Sequence, residues 1–255
     1  MDYSRYQTLQ MELREKVLHV SFCRPEQLNA VTAQSHTELS TVFADIALDE
    51  RVHAVVLTGQ GRAFSAGGDM QWFRDITPQE TDRLFAEARK IIIDLLELPQ
   101  PIIAAVNGPA AGLGATLALF CDVIYASEKA KILDPHVCIG VTAGDGGAII
   151  WPWLVGPARA KQYLMTGDPV SAQEAERIGL VNAVVAADQL LAVATAMAER
   201  LAQGPQKAIR STKASVNKIL RDTVNLVLDT SLALEKECFV SQDHRDAVAK
   251  FLGKT

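Results

Sequence analysis

Apolar residues follow two different periods in the first part of the chain. Residues 17–23 (VLHVSFC) alternate between apolar and polar positions, which predicts a β-strand, whereas apolar residues recur at helical spacing over 32–48. The turn sequence RPE separates the two. Short apolar runs then predict buried strands over 54–58 (AVVLT) and 102–106 (IIAAV).

Each of these two buried strands leads through a glycine-rich loop into a helix. The loop GQGRAFSAGGD precedes a helix predicted over 78–98, and the loop NGPAAGLG opens an apolar helix that ends at Phe120. Further short strands are predicted over 123–126 and 137–141. The repetition of strand, loop and helix favours an α/β fold with parallel strands and crossover helices.

The pattern changes to nearly continuous helix from about residue 157 onward. Strand signals almost disappear there, and the segment after residue 188 is rich in alanine. We therefore predict a β/α core over 1–195 and a helical C-terminal region over 196–255.

Composition narrows the class of protein. Apolar residues make up 49% and charged residues 22% of the chain, as in folded globular proteins, and the net charge of −5 argues against nucleic acid as a partner. No apolar run approaches the ~18 residues of a membrane span, and the polar start lacks the core of a signal peptide, so we expect a cytoplasmic location. The four cysteines are widely spaced without a CxxC pair and are interpreted as buried structural thiols.

The two glycine-rich loops are candidate sites because little side-chain bulk covers their backbone. If the amides of Gly68 and Leu113 point at one place, they form an oxyanion hole that would activate a carbonyl group. A dinucleotide fingerprint is the first rival, but the sequence from Gly112 reads GLGATL, with Leu117 where the third small residue should stand. The other alternative is that these glycines serve only close packing of helix against strand.

His136 and Asp145 lie nine positions apart in the segment LDPHVCIGVTAGDGG and suggest an acid/base pair. The alternatives are a hydrogen-bonded loop histidine and an aspartate that caps a helix. A hydrolase triad with Ser65 is disfavoured because FSAGG lacks the GxSxG elbow. The remaining histidines are interpreted as structural or exposed: His19, His36, His53 and His244.

Several segments together resemble the crotonase superfamily, the enoyl-CoA hydratase/isomerase family. They are RPEQLNAVT, AFSAGGD, AAVNGPAAGLG followed by CDVIYASEKAK, the segment ending in GDGG, SAQEAERIGLVNAVV, and the FxxK spacing of Phe251 and Lys254. The resemblance implies a crotonase-like spiral of ββα repeats, a C-terminal helical region that builds a homotrimer or a dimer of trimers, and an acyl-CoA thioester as substrate. Coenzyme A would then be part of the substrate, and neither a separate cofactor nor a metal would be needed.

The resemblance also assigns residues to the site. Backbone amides of Gly68 and Leu113 would hold the thioester oxygen, and Lys254 would reach a phosphate from a neighbouring subunit. The implied contacts to substrate or coenzyme A are Arg24, Leu28, Ala30, Ala66, Asp69, Thr116, Phe251 and Lys254. Five large apolar side chains are candidates either to line an acyl pocket or to belong to the hydrophobic core: Met70, Trp72, Phe73, Trp151 and Trp153.

The chain departs from the hydratases of this family at both catalytic glutamates. Their positions fall on Thr116 and His136, so standard water addition lacks its usual carboxylates. The pair His136 and Asp145 with the GDG sequence is similar to that of 6-oxocamphor hydrolase, which breaks a carbon–carbon bond by a retro-Claisen reaction. Asp145 is therefore open to three roles, as base, nucleophile or orienting carboxylate.

The expected function is acid/base chemistry of the enoyl-CoA hydratase or isomerase type, a lyase of fatty acid metabolism. Hydrolysis of a carbon–carbon bond or of a thioester on the same fold is the alternative. A relative that binds RNA without catalysis is disfavoured by the negative charge.

Overall fold

The structure, a computed structural model, describes residues 1–253 of the chain. Its strands are β1 (Leu9–Arg14), β2 (Val17–Phe22), β3 (Ala54–Gly59), β4 (Ile102–Val106), β5 (Ala110–Ala111), β6 (Val123–Ser127), β7 (Lys131–Leu133), β8 (Val170–Ser171) and β9 (Ala183–Val185). Its α-helices are α1 (Ala33–Leu48), α2 (Met70–Asp75), α3 (Pro78–Glu97), α4 (Leu113–Leu119), α5 (Gly147–Val155), α6 (Pro157–Thr166), α7 (Ala172–Ile178), α8 (Leu190–Ala202), α9 (Gln206–Phe239) and α10 (Gln242–Phe251). Two short 3-10 helices are also present, Pro25–Gln27 and His136–Ile139.

The main sheet contains six strands in the order β1-β2-β3-β4-β6-β9. Strand β1 pairs with β2 in antiparallel fashion, and the remaining pairs of this sheet are parallel. A second sheet has the order β5-β7-β8. The predicted α/β fold with parallel strands is thus confirmed, and the parallel strands deliver their loops to one edge of the sheet.

The central strands β3 and β4 of the main sheet are buried on both faces, to which successive side chains point in turn. Val55 and Leu57 belong to the large apolar cluster that includes α1, α3 and α4. Ala54 and Val56 face a second cluster, formed with Leu190 and every fourth residue after it on α8. Helix α8 therefore packs on the sheet and crosses the predicted boundary at residue 195.

The predicted strand over 137–141 is wrong, since a 3-10 helix occupies His136–Ile139. The amide of Cys138 donates to the carbonyl of Pro135, and the amide of Val141 donates back to that of His136. Gly140 then reverses the chain with a φ of 71°, which glycine adopts without strain. A short apolar run does not distinguish strand from helix by its period, so the turn residues decide.

Other elements were not predicted at all. Strand β1 is amphipathic, with every second residue turned partly to solvent, and the strands β5, β7, β8 and β9 have at most three residues each. The cysteines are unpaired, but only Cys121 is buried; Cys138 is exposed, so the expectation of buried thiols is wrong there. Within residues 1–253 no helix combines the length and the apolar character that crossing a bilayer requires.

Candidate active site

A cavity of about 610 Å³ opens beside the two glycine-rich loops. Its wall is mostly apolar, with residues from α2, α3 and the C-terminal helices: Met70, Trp72, Phe73, Leu84, Phe85, Phe239 and Phe251. Six ionisable side chains interrupt this wall: His36, His136, Cys138, Asp145, Glu235 and Lys250. An apolar cavity with a few convergent polar groups is the usual form of a small-molecule site.

The two loops lie directly against each other at the cavity. The amide of Ala111 donates to the carbonyl of Ser65 at 2.9 Å. A Cβ atom on Gly67 would lie 2.8 Å from the carbonyl oxygen of Ala111, so a side chain there would force the loops apart. The glycines therefore bring two stretches of backbone to one place.

The amides of Gly68 and Leu113 are both available at this junction. Val31 is hydrogen-bonded to the neighbours of Gly68, through the carbonyl of Gly67 and the amide of Asp69. Leu113 is the first residue of α4, where amides have no partner within the helix. Both residues line the cavity, and within residues 1–253 neither amide donates a hydrogen bond to the protein.

His136 is surrounded by carboxylates. Its Nδ1 donates to Oδ1 of Asp134, while its Nε2 lies 3.5 Å from Oδ2 of Asp145 and 3.8 Å from Oε1 of Glu235. The hydroxyl of Thr116 donates to the other oxygen of Asp145 at 3.2 Å. The structure therefore brings the predicted pair together, with two further acids around the same imidazole.

The GDGG sequence makes room for this cluster. A Cβ atom on Gly144 would lie 2.5 Å from Oε2 of Glu235, and one on Gly147 would lie 2.1 Å from Oδ2 of Asp134. Gly146 precedes α5 with a φ of 116°. The cap position belongs to Gly146, so Asp145 is not the capping residue that the alternative interpretation required.

Burial and charge oppose each other in this cluster. Burial alone would lower the pKa of His136, but the negative charges of Asp134, Asp145 and Glu235 hold it well above its usual range. Burial raises the pKa of Asp145, although the attraction of His136 offsets part of the rise. Burial likewise raises the pKa of Glu235 well above its usual range. The pKa values of the imidazole and of both carboxyl groups at its Nε2 are therefore all shifted upward.

These raised pKa values make stability depend on pH in a predictable direction. Above its ordinary pKa of 4.5, Glu235 binds more proton in the folded than in the unfolded chain, so the free energy of unfolding falls as pH rises. In Glu235→Gln we expect a shallower fall as pH rises above 4.5, measured by urea unfolding. Glu237→Gln, an exposed neighbour on the same helix, should keep the wild-type slope. Equal slopes in Glu235→Gln and wild type would show that Glu235 is ionised throughout.

The predicted substrate contacts are distributed unevenly. Ala66 and Phe251 line the cavity, and Phe251 is exposed at its mouth. Thr116 is fully buried behind Asp145 and is absent from the cavity wall. Asp69 caps α2 by accepting a hydrogen bond from the amide of Gln71. Lys254 lies outside the described residues.

The segment around Arg24 forms a rigid turn next to the first glycine-rich loop. The guanidinium of Arg24 donates to the carbonyl of Ala30 at 2.8 Å, and the carbonyl of Leu28 accepts from the amide of Ala66 at 3.0 Å. Leu28 and Asn29 both have positive φ angles, 53° and 57°. These residues fix the loop, and none of Arg24, Leu28 and Ala30 is on the cavity wall.

The five candidates for the acyl pocket divide into two groups. Met70, Trp72 and Phe73 line the cavity. Trp151 is fully buried and packs on Tyr163, while Trp153 is partly exposed, and neither reaches the cavity. The first three therefore shape the site and the last two do not.

Several ionisable residues of the site were not among the predicted ones, and these include Asp134, Glu235 and His36. Asp134 stands two positions before His136, so its neighbourhood in sequence was a usable signal. Glu235 is almost a hundred positions away on α9 and carries no such signal. His36, interpreted from sequence as structural or exposed, lies on the cavity wall with Nδ1 2.9 Å from Oε2 of Glu87.

The same cluster has the residue types of a metal site. One atom each of Asp134, His136 and Asp145 lies within 4.8 Å of the others. The direct hydrogen bond between Asp134 and Nδ1 of His136 leaves no space for an ion between that pair.

Similarity to known proteins extends over nearly the whole chain. A family model described as enoyl-CoA hydratase/isomerase matches residues 12–255. Crotonyl-CoA hydratase of Syntrophomonas wolfei is 34% identical over 250 residues, which cover 98% of this chain and 96% of that protein.

Solved structures are also similar over nearly the whole chain. The crystal structure of an enoyl-CoA hydratase/isomerase from Mycobacterium paratuberculosis has a TM-score of 0.94 and 35% identity, covering 97% of this chain and all of that one. A β-diketone hydrolase from the cyanobacterium Anabaena sp. PCC 7120, bound to (S)-3-oxocyclohexyl acetic acid, has a TM-score of 0.86 and 31% identity, with 96% of each chain covered.

Proposed function

Since this chain belongs to the enoyl-CoA hydratase/isomerase family, we propose that it acts on an acyl-CoA thioester through an enolate-like intermediate. The amides of Gly68 and Leu113 polarise the thioester carbonyl, and His136 with Asp145 moves protons. The observation that carries this proposal is the presence, in one cavity, of a buried imidazole–carboxylate cluster and of two backbone amides that have no acceptor among residues 1–253.

The two parts of the site have complementary tasks. Hydrogen bonds from fixed amides stabilise negative charge as it develops on oxygen, and mutational data put one such donor at about 10²–10³ in kcat. Protons must also move to and from carbon or water, which an imidazole beside a carboxylate does at neutral pH. Because nearby carboxylates raise the pKa of His136, its imidazole is assigned as the proton donor. Asp145, which lies at its Nε2, is assigned as the acceptor.

The cavity fits an apolar acyl group. Aromatic side chains of α2, α3 and α9 enclose its inner part, and these include Trp72, Phe85 and Phe239. Phe251 and Lys250 stand on the wall contributed by α10, where the coenzyme A portion would leave the cavity. The ammonium group of Lys250 suits the phosphates of such a ligand.

The oligomeric state and the location stay predictions. A homotrimer or a dimer of trimers is supported by apolar side chains that α9 exposes, among them Ile219 and Leu226. A cytoplasmic location is likewise an expectation, and it rests on the sequence.

Hydrolysis of a carbon–carbon bond in a β-diketone is a second candidate. The similarity to the Anabaena β-diketone hydrolase favours it, as does an imidazole at a position where the family resemblance places a glutamate. In this reaction water adds to one carbonyl carbon, and the bond to the neighbouring carbon then breaks. The electron pair remains as an enolate on the second carbonyl, and a proton returned to carbon completes the cleavage.

The two candidates separate in one assay. Crotonyl-CoA, a longer enoyl-CoA, a β-ketoacyl-CoA and a cyclic 1,3-diketone are incubated with the protein and followed by mass spectrometry, with chromatography to separate double-bond isomers of equal mass. Addition of water to crotonyl-CoA, or movement of the double bond in the longer enoyl-CoA, supports the proposal. Ring opening of the diketone to a keto acid supports the second candidate. Absence of turnover and of binding with all the thioesters would contradict the proposal.

A further inference from the structure

The two nitrogens of the His136 imidazole face different surroundings. Nδ1 donates to Asp134, which is 1% exposed and absent from the cavity wall. Nε2 faces Asp145 and Glu235, both of which line the cavity. The imidazole is therefore anchored on one side and open to the site on the other.

Asp134 is itself held in place by its surroundings. It directly follows β7, whose last carbonyl, at Leu133, accepts from the amide of Gly112 at 3.1 Å. Its Oδ1 accepts from the backbone amide of His136 at 3.4 Å as well as from the ring. Its Oδ2 lies at the start of α5, where the missing side chain of Gly147 leaves the space. The positive end of the α5 dipole favours a carboxylate at this point.

We propose that Asp134 is the positioning residue of this site and that Asp145 is not. Asp134 fixes the proton on Nδ1 and the orientation of the ring, so Nε2 is the nitrogen that exchanges protons in the cavity. Asp145 is thereby free to act on substrate or water as a base or a nucleophile. This assignment deepens the proposed function and rests on it for the catalytic roles, but not for the state of the imidazole.

The same assignment explains why the last residue of GDGG is glycine. A methyl group on Gly147 would occupy the position of the Asp134 carboxylate, since its Cβ would lie 2.1 Å from Oδ2. The glycine therefore has a chemical reason beyond helix packing: it lets the positioning carboxylate reach the imidazole.

The charged and titratable groups around His136 must be considered together. Asp134 precedes the 3-10 helix, Asp145 precedes α5, and Glu235 comes from α9. His244 of α10 donates its Nδ1 hydrogen to the carbonyl of Ile139 and keeps the 3-10 helix in place, while His36 faces the same cavity from α1. Of these groups only Asp134 is bonded to Nδ1.

The test compares Asp134→Asn with Asp145→Asn by NMR of the imidazole nitrogens and by steady-state kinetics. The His136 signals are assigned by their loss in His136→Gln. In Asp134→Asn we expect a lower His136 pKa, loss of the strongly hydrogen-bonded Nδ1–H signal, and a fall in kcat of about 10- to 100-fold with little change in KM. In Asp145→Asn the Nδ1–H signal should persist.

Gly147→Ala is a second way to disturb the hydrogen bond between Asp134 and Nδ1 of His136, because it displaces the Asp134 carboxylate without removing its charge. It should weaken the Nδ1–H signal as well. Asp49→Asn, a buried carboxylate that lies off the cavity wall and accepts from Arg51, controls for a general loss of stability and should leave the His136 signals unchanged.

The outcomes distinguish this inference from the proposed function. An Nδ1–H signal and a His136 pKa that are unchanged in Asp134→Asn would overturn the inference, as would their loss in Asp145→Asn instead. If wild type turns over none of the thioesters while Asp134→Asn changes the imidazole as described, the positioning role stands and the reaction assigned to the site is wrong.

Discussion

Replacement of His136 by glutamine should lower kcat by about 10²–10⁴-fold on whichever substrate the wild type converts, because glutamine cannot exchange a proton near neutral pH. Glutamine keeps much of the volume and can still hydrogen-bond to Asp134. The loss should therefore appear in kcat, measured under saturating substrate, and much less in KM. Substrate binding, followed by the quenching of Trp72 fluorescence in the cavity, should persist.

The same substitution should also reduce stability. It removes the imidazolium that compensates Asp134 and Asp145, and a buried charge left without a partner typically costs about 3–5 kcal/mol. His136 has a raised pKa, so its stabilising effect is fully present below its ordinary value of 6.5 and is lost as pH rises through the folded value. Activity must therefore be measured at a temperature where the variant is folded.

His53→Gln is the matched control for this experiment. His53 hydrogen-bonds to the carbonyl of Ala202 at 3.0 Å and lies off the cavity wall, so its loss should leave kcat near the wild-type value. A folded His136→Gln protein with the wild-type kcat would exclude the imidazole from the chemistry.

Periodicity was sufficient to predict the scaffold of this site. Strand β4 has the predicted bounds Ile102–Val106, and α3 ends one residue before the predicted end. Long elements with a clear period follow from local preference and burial, and glycine-rich loops between them are visible as breaks. The position of Leu113 at the start of α4 was predictable for the same reason.

The acids around His136 were less predictable because tertiary contacts assemble them. Glu235 occupies a helical position that resembles any other polar position of α9, and only the fold brings it within 3.8 Å of Nε2. The segment 137–141 was wrongly predicted as a strand, whereas a 3-10 helix over His136–Ile139 begins at the residue that faces Asp145. Short segments contain too few residues for a period to show, so their conformation depends on partners distant in sequence.

The amide of Leu113 can be removed almost without altering the backbone, which makes the oxyanion hole testable. Leu113 is the first residue of α4, and proline is well tolerated there because its fixed φ suits the helix and no intrahelical bond is lost. Proline also restricts the preceding residue through that residue's N–H and Cβ, but Gly112 has no Cβ and its φ of 50° and ψ of −126° lie outside the α region that this clash disfavours. Leu113→Pro therefore deletes one hydrogen-bond donor at the cavity.

We expect Leu113→Pro to lower kcat by about 10²–10³-fold relative to Leu113→Ala, the control that loses the buried side chain but keeps the amide. The comparison is needed because Leu113 is itself buried, so both variants lose apolar contacts and stability. The N–H group contributes most when negative charge is on the oxygen, so an enolate or oxyanion analogue should lose more affinity than the substrate. Equal kcat values in two folded variants would mean that the Leu113 amide does not stabilise the transition state, and that the charge on oxygen is stabilised elsewhere in the cavity.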